Sequence, residues 1–378
     1  MSQLELRPGL ADVPVAESAV SFIDGQNARL EYRGIAVEAL ARESSFEETS
    51  WLLLKGSLPT QKELADFDSH LRNARRLKYK LVDAIKCLPE TGHPMDALQA
   101  VTAALGMYYP ANDVSNPETN WNSAVRLIAS LPTIVAAFHR LRYGDEALRP
   151  RDDLDHAGNF YYMLFEKVPS PAIRKVMDAC LILHAEHTMN ASTFSARVTG
   201  STLANPYTVI SSAIGTLTGP LHGGANERVL KMLDEIGSVE NVRPWVDSRP
   251  EKAKFMGFGH RVYKVKDPRA TVLQELAEHV FSENERPKEY DIALELEKVL
   301  GEKLGSKGIY PNVDFFSGIV YQALGIPRDL FTPIFAIARV TGWLAHWLEQ
   351  LKNNRIFRPE QIYVGKTGQE YVPLEKRA

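Results

Sequence analysis

Apolar residues recur at helical spacing through most of this 378-residue chain, and a chain so patterned has to bury one stripe of each helix against other helices. Runs at about 95–107, 122–141, 172–187, 206–217, 226–236, 268–281, 290–300, 313–324 and 332–351 each predict a helix. Ser45-Phe46-Glu47-Glu48 and Thr60-Gln61-Lys62-Glu63 have the form of capping boxes, and Gly56 stands where the helix between them would end. Strand signals are confined to the two ends of the chain. Segments 20–23 and 29–32 flank Asp24-Gly25 as a hairpin would, and 361–364 is a β-branched or aromatic fragment. The expected class is all-α with a minor β-hairpin near the N-terminus. At roughly 150 residues per domain the length suits two domains, or one with an inserted lobe.

Composition matters here for what it excludes. An apolar content of 44% leaves enough side chains for a large core, so disorder is not expected. A net charge of -3, from 44 basic and 47 acidic residues, gives no reason to expect nucleic acid or an anionic membrane as the partner. Cys87 and Cys180 make no disulfide framework and have no second ligand at metal-site spacing, which points to a reducing cytoplasmic setting. The mixed-charge start, with Pro8 and Pro14, lacks the basic-then-apolar pattern of a secretory signal. The most apolar segment, 331–348, is interrupted by Pro333, Arg339 and His346, so no membrane span is expected there.

Glycine and proline crowd three junctions in the second half, and each junction carries an ionisable side chain. Gly215, Gly219, Pro220, Gly223 and Gly224 surround His222; Gly257 and Gly259 precede His260; Gly305, Gly308 and Pro311 precede Asp314. Any one of them reads equally as a plain interhelical turn. His222 sits ahead of a helix expected from about 226, whose positive end would keep the imidazole neutral and fit to polarise a carbonyl; the other reading is a packed turn histidine. His260 stands with Arg261, Lys264, Lys266 and Arg269, which form either a solvated basic face or a site for an anion. Neither a P-loop nor a glycine-rich dinucleotide motif is present. Asp314 reads as a carboxylate favoured by a helix start, or as one desolvated by Phe315 and Phe316 into a stronger base. Arg339, on an apolar helix, needs an anion or a carboxylate if buried; Arg358 stands just before Pro359.

Four segments then combine: HAEHTMNAST at 184–193, GPLHGGAN at 219–226, GFGHRVYKVKDPR at 257–269 and PNVDFFSG at 311–318. In these motifs, and from Tyr32-Arg33-Gly34 to Arg358-Pro359, the chain resembles the citrate synthase family. The resemblance implies a two-domain helical fold, with 1–219 and 322–378 forming a large domain and 220–321 a small mobile one. It implies condensation of acetyl-CoA with oxaloacetate and hydrolysis of citryl-CoA, the entry step of the tricarboxylic acid cycle, with no metal and no cofactor beyond acetyl-CoA as substrate. Asp314 would be the base, His222 the partner of the thioester carbonyl and His260 that of the oxaloacetate ketone. His187, Asn190, Arg269 and Arg339 would bind oxaloacetate, with Arg358 supplied by the other subunit of a homodimer that shares its active sites. Met256, Gly257, Phe258, Gly259, Lys264, Lys307 and Asn312 would line the CoA site. Glu186 and Thr188 flank His187 where many members have Asp and Glu, and Lys264 replaces an arginine of some relatives. The short N-terminus resembles that of forms without the NADH-binding extension, and assembly of dimers beyond the pair is left open. The competing readings are a 2-methylcitrate synthase acting on propionyl-CoA and a catalytically silent helical scaffold.

Overall fold

The computed structural model describes residues 5–250, 252–260, 262–281 and 285–377. Near the N-terminus β1 (Ser21–Asp24), β2 (Arg29–Tyr32) and β3 (Ile35–Ala36) form one antiparallel sheet in that order, with Ser21 opposite Tyr32 and Tyr32 opposite Ile35. The hairpin turn is held by Asp24, whose carboxylate accepts from the backbone N–H groups of Gln26 and Asn27. The third strand, added by a left-handed turn at Arg33 and Gly34, extends the expected hairpin. The fragment 361–364 is not a strand. Among the described residues no strand offers it a ladder, and Val364 is 93% exposed.

The helices begin with α1 (Val37–Glu43), α2 (Phe46–Lys55), α3 (Gln61–Ala74), α4 (Tyr79–Lys86) and α5 (Pro94–Tyr108). Thr60 and Glu63 make the full reciprocal capping box, and Gly56 ends α2 at φ 95°. Ser45 caps α2 through the Glu48 N–H, but the Glu48 carboxylate turns to Ser44 Oγ at 2.7 Å, so only half of that box forms. There follow α6 (Pro117–Leu141), α7 (His156–Phe165), α8 (Pro171–His184), α9 (Ala191–Ser201) and α10 (Pro206–Leu217). By length and composition α6 could cross a membrane, yet 78% of its most apolar window is buried inside the fold. The run expected at 172–187 stops at His184, because Asn190 restarts the chain as the N-cap of α9. That early stop puts His187 in a loop.

Five helices follow: α11 (Ala225–Ile236), α12 (Val242–Asp247), α13 (Pro268–Phe281), α14 (Lys288–Leu304) and α15 (Val313–Ala323). α15 packs against α11, α13 and α14, while α13 also reaches α8 and α1. The last helix, α16 (Phe331–Lys352), is buried along nearly its whole length against α2, α6, α8, α9 and α10. Such a helix has almost no solvent face on which to place Arg339, Trp343 and His346, so each must find its partners inside the protein.

Candidate active site

A cavity of about 130 Å³ lies between the α8–α9 loop, the loops before α11, α13 and α15, and α16; it is lined by His187, Asn190, His222, His260, Arg269, Asn312, Val313, Asp314, Phe335 and Arg339. The three glycine-rich junctions therefore converge. The segments around His260 and Asp314 are zipped into one unit, with the Gly259 N–H donating to Tyr310 O (2.8 Å), the Asn312 N–H to Gly257 O (2.9 Å) and Asn312 Nδ2 to Gly259 O (3.0 Å). Gly257, at φ 76°, lies so close to α15 that a Cβ there would stand 2.9 Å from the Phe315 side chain. Asn312 lines the cavity, and Gly257 and Gly259 adjoin it through these bonds, whereas Met256 and Phe258 are not among the lining residues and Met256 borders a separate pocket with Arg228, Trp245 and Phe255.

The two catalytic candidates among the histidines are held in opposite tautomers. His260 Nδ1 accepts from the N–H groups of Val262 (3.0 Å) and Tyr263 (3.2 Å), which leaves the ring proton on Nε2. His222 Nε2 accepts from the Ser192 N–H (3.3 Å) and lies 2.8 Å from Ser192 Oγ, which leaves the proton on Nδ1. The helix start that meets His222 is therefore that of α9, and not the α11 start expected from sequence. Burial, then Arg339, pushes His222 down to about 4. Burial, then Arg269, does the same for His260. Both rings are neutral donors at neutral pH.

Asp314 is the second residue of α15, its N–H capped by Asn312 Oδ1 at 3.0 Å. Its Oδ1 is sealed from solvent and meets no hydrogen-bond donor among the described residues. Burial raises its pKa to about 6 against the pull of Arg269. A carboxylate with an unsatisfied oxygen and a raised pKa is a stronger base than an exposed one.

Two buried guanidinium groups supply the positive field. Arg269 forks onto Asp267 through Nε (3.1 Å) and Nη2 (2.7 Å); burial opposes its charge, but Asp267 holds its pKa above the usual arginine value. Arg339 is different: Nε donates to His184 O at 2.7 Å, its ring neighbour is Phe335, and burial lowers its pKa to about 10. A buried cation hydrogen-bonded to a carbonyl, in a cavity wall, is suited to a ligand carboxylate. His187 stands beside them, with Nε2 3.3 Å from Tyr263 Oη and its pKa driven down by burial and then by Arg269. Asn190 lines the cavity, but its amide is spent on the loop: Oδ1 caps α9 at the Thr193 N–H, and Nδ2 donates to His187 O and Thr188 O. His187, His260 and Asp267 place ligand atoms within 4.8 Å of one another, as a metal site would. Arg269 takes both Asp267 oxygens, however, so the trio offers no third free ligand and the site favours an anion.

The basic cluster around His260 does not act as one patch. Lys266 is paired with Glu297 at 2.6 Å, Lys264 is exposed, and Arg261 lies outside the described residues. Lys307 is exposed in a short 3-10 turn before Gly308. Arg358 is absent from its own chain's cavity. Its side chain is 79% exposed, 3.9 Å from Glu360, and borders a separate groove of about 1200 Å³ between the N-terminal segment, α9 and the end of α16. The residues that sequence reasoning missed are Ser192, Tyr263, Asp267, Phe335 and Trp343. Ser192 had a signal: an Asn190 N-cap places its N–H at a helix start, where an acceptor is wanted.

A family model described as "Citrate synthase, C-terminal domain" matches residues 9–360. A citrate synthase of Synechocystis sp. is 60% identical over 98% of this chain and 94% of its own length. Among solved structures, a citrate synthase from Pyrobaculum aerophilum superposes with a TM-score of 0.93 at 42% identity, covering 98% of this chain and 95% of that one. The ternary complex of carboxymethyl coenzyme A and oxaloacetate with citrate synthase from Thermoplasma acidophilum superposes with a TM-score of 0.92 at 35% identity, covering 99% of this chain and 100% of that one.

Proposed function

The chain belongs to the citrate synthase family, and from that premise we propose that it condenses acetyl-CoA with oxaloacetate and hydrolyses citryl-CoA to citrate and CoA, the acyltransferase step that opens the tricarboxylic acid cycle. The observation that carries this reading is the convergence on one cavity of two buried guanidinium groups, a desolvated carboxylate and two neutral histidines with opposite protons free. The carboxylates of oxaloacetate meet Arg269, Arg339 and His187, and the Nε2–H of His260 points its charge at the ketone oxygen. Asp314 removes a proton from the acetyl methyl while the Nδ1–H of His222 hydrogen-bonds the thioester oxygen, so an enol forms in place of a free enolate. The enol carbon attacks the polarised ketone carbon, His260 supplies the alkoxide proton, and water then cleaves the thioester. No cofactor or metal takes part in this scheme.

In this proposal the strip 256–259, with Lys264, Lys307 and Asn312, receives CoA, and 220–321 moves as a small domain over the cleft. The enzyme is a homodimer in the cytoplasm, each cleft completed by the partner's Arg358. The C-terminal segment supports the pairing: Ile362, Tyr363, Val364 and Tyr371 are all exposed, an apolar strip that a second copy would cover.

A thiol-release assay with oxaloacetate tests the substrate. Acetyl-CoA is expected to exceed propionyl-CoA in kcat/KM by at least about tenfold, the usual worth of one methylene. Reversal of that ratio would make the chain a 2-methylcitrate synthase, and release with neither substrate would make it a silent scaffold. The acid limb of the pH profile gives a second prediction. Only the ionised Asp314 accepts a proton, so kcat/KM for acetyl-CoA should fall tenfold per unit below about pH 6, a single limb because both histidines stay neutral to about 4. A limb that persists unchanged in a variant with Asp314 replaced by glutamate at altered pKa, or one centred below pH 5, would contradict the assignment.

A further inference from the structure

Thr188 has φ 49°, a left-handed conformation that strains a β-branched residue and persists only where its surroundings impose it. It stands directly after His187 in the α8–α9 loop, and the peptide that joins the two is held from both sides. His187 O accepts from Asn190 Nδ2 at 3.3 Å. The Thr188 N–H donates to Ser21 Oγ at 3.2 Å, its one partner among the described residues. Thr188 O in turn accepts from the Asn190 N–H (3.0 Å) and from Asn190 Nδ2 (3.2 Å), which ties the loop to the start of α9.

Ser21 belongs to β1, far from this loop in sequence, and both roles of its hydroxyl are fixed by its partners. An amide N–H can only donate and an ionised carboxylate can only accept, so Ser21 Oγ accepts from Thr188 and gives its own proton to Glu186 Oε1 at 2.9 Å. Burial opposes the charge of Glu186, but His346, Arg339 and Ser21 together hold its pKa below the usual glutamate value. One hydroxyl thus bridges the residues on either side of His187. The two flanks are not equally secure. Glu186 has further ties, with its N–H donating to Tyr32 Oη (3.2 Å), its O accepting from that hydroxyl (2.9 Å) and Oε1 lying 3.0 Å from His346 Nε2. The Thr188 N–H has Ser21 alone. Without that acceptor the peptide can turn and Thr188 can relax out of the left-handed region, and between two anchored helices such a turn displaces the His187 Cβ and the imidazole it carries.

We propose that Ser21 is a positioning residue of the oxaloacetate site: its hydroxyl, placed by the N-terminal hairpin, holds Thr188 in its strained conformation and so keeps the His187 imidazole aimed into the cavity. The inference rests on the role proposed above for His187. Ser21→Ala should weaken oxaloacetate binding about tenfold by titration calorimetry, the worth of one buried hydrogen bond, and raise its KM to match, while kcat at saturating substrates stays within about twofold of wild type. General loosening of the hairpin would not divide KM from kcat in this way. In a His187→Ala background the Ser21→Ala change should cost no further affinity, because its effect passes through the imidazole. Thr188→Gly takes φ 49° without strain, so in that background the same change should cost less than in the wild-type chain. Undiminished affinity in Ser21→Ala, a fall in kcat equal to the rise in KM, or the same loss in all three backgrounds would overturn the proposal. His187→Ala by itself separates the two readings. If it leaves oxaloacetate affinity intact, the role of His187 fails; if it weakens binding while Ser21→Ala binds as wild type, only the clamp fails.

Discussion

Asp314→Asn is expected to lower kcat by about 10³-fold or more, within the range that loss of a general base produces, while oxaloacetate still binds. In the proposed scheme the base acts on the acetyl methyl, whereas Arg269 and Arg339, the groups assigned there to the oxaloacetate carboxylates, are untouched. The same substitution should stabilise the fold at neutral pH. Burial holds the folded pKa of Asp314 at about 6, above the roughly 3.9 of an unburied aspartate. Between those two values the folded state binds more protons than the unfolded one, so stability falls as pH rises through the window and the cost is complete above pH 6. Removing the charge should recover about 1–2 kcal/mol at pH 8, the raised pKa being worth roughly 3 kcal/mol and desolvation of the amide taking back part. Below pH 4 the gain should vanish. Calorimetry of the variant across that range, alongside steady-state kinetics, checks both halves. Near-wild-type kcat would remove Asp314 from the reaction, and a pH-independent stability difference would contradict its desolvated state.

The motifs make the inner ring of the site legible: any one glycine-rich junction reads as a plain turn, but His222, His260 and Asp314 each stand in one, and the fold brings all three to one cavity. The raised pKa of Asp314 follows from Phe315 and Phe316, both buried, as their position beside it suggests. What holds the ring in place is far less visible. The helix start that fixes the His222 tautomer belongs to α9, whose small and polar sequence, ASTFSARVTGS, has no clear apolar period. Trp343 reads as one more core side chain, since indole on a buried helix is ordinary and its N–H partner is 151 residues away. Lys266, which by sequence belongs either to a solvated basic face or to an anion site, pairs with Glu297 of α14. These partners share a feature: composition and spacing report what a residue can do, while its partners come from tertiary contacts that leave no local trace. The segment 361–364 erred for a related reason, its β-branched residues having no strand to pair with.

Arg358 carries the sharpest expectation about the assembly. The chain leaves α16 and is anchored to α9 as far as Phe357, whose N–H donates to Ser201 Oγ at 3.1 Å and whose ring meets Phe194 at 5.6 Å. The next residue, Arg358, lies beyond that anchor, its side chain 79% exposed and outside its own cavity. If each Arg358 completes the clamp of the other subunit, Arg358→Ala and Asp314→Ala homodimers are each inactive, yet a mixed dimer regains activity. One cleft of that dimer combines both lesions, and the other has neither. Activity per mixed dimer should then approach half the wild-type value, read on heterodimers isolated by two different affinity tags. Were Arg358 instead to serve its own subunit, each cleft would keep one lesion and no rescue would appear. Rescue would mean that the exposed guanidinium has its function only in the pair: a dicarboxylate bound by Arg269 and Arg339 of one chain would recruit a third cation from the next, so substrate affinity and dimer stability would be linked, each strengthening the other.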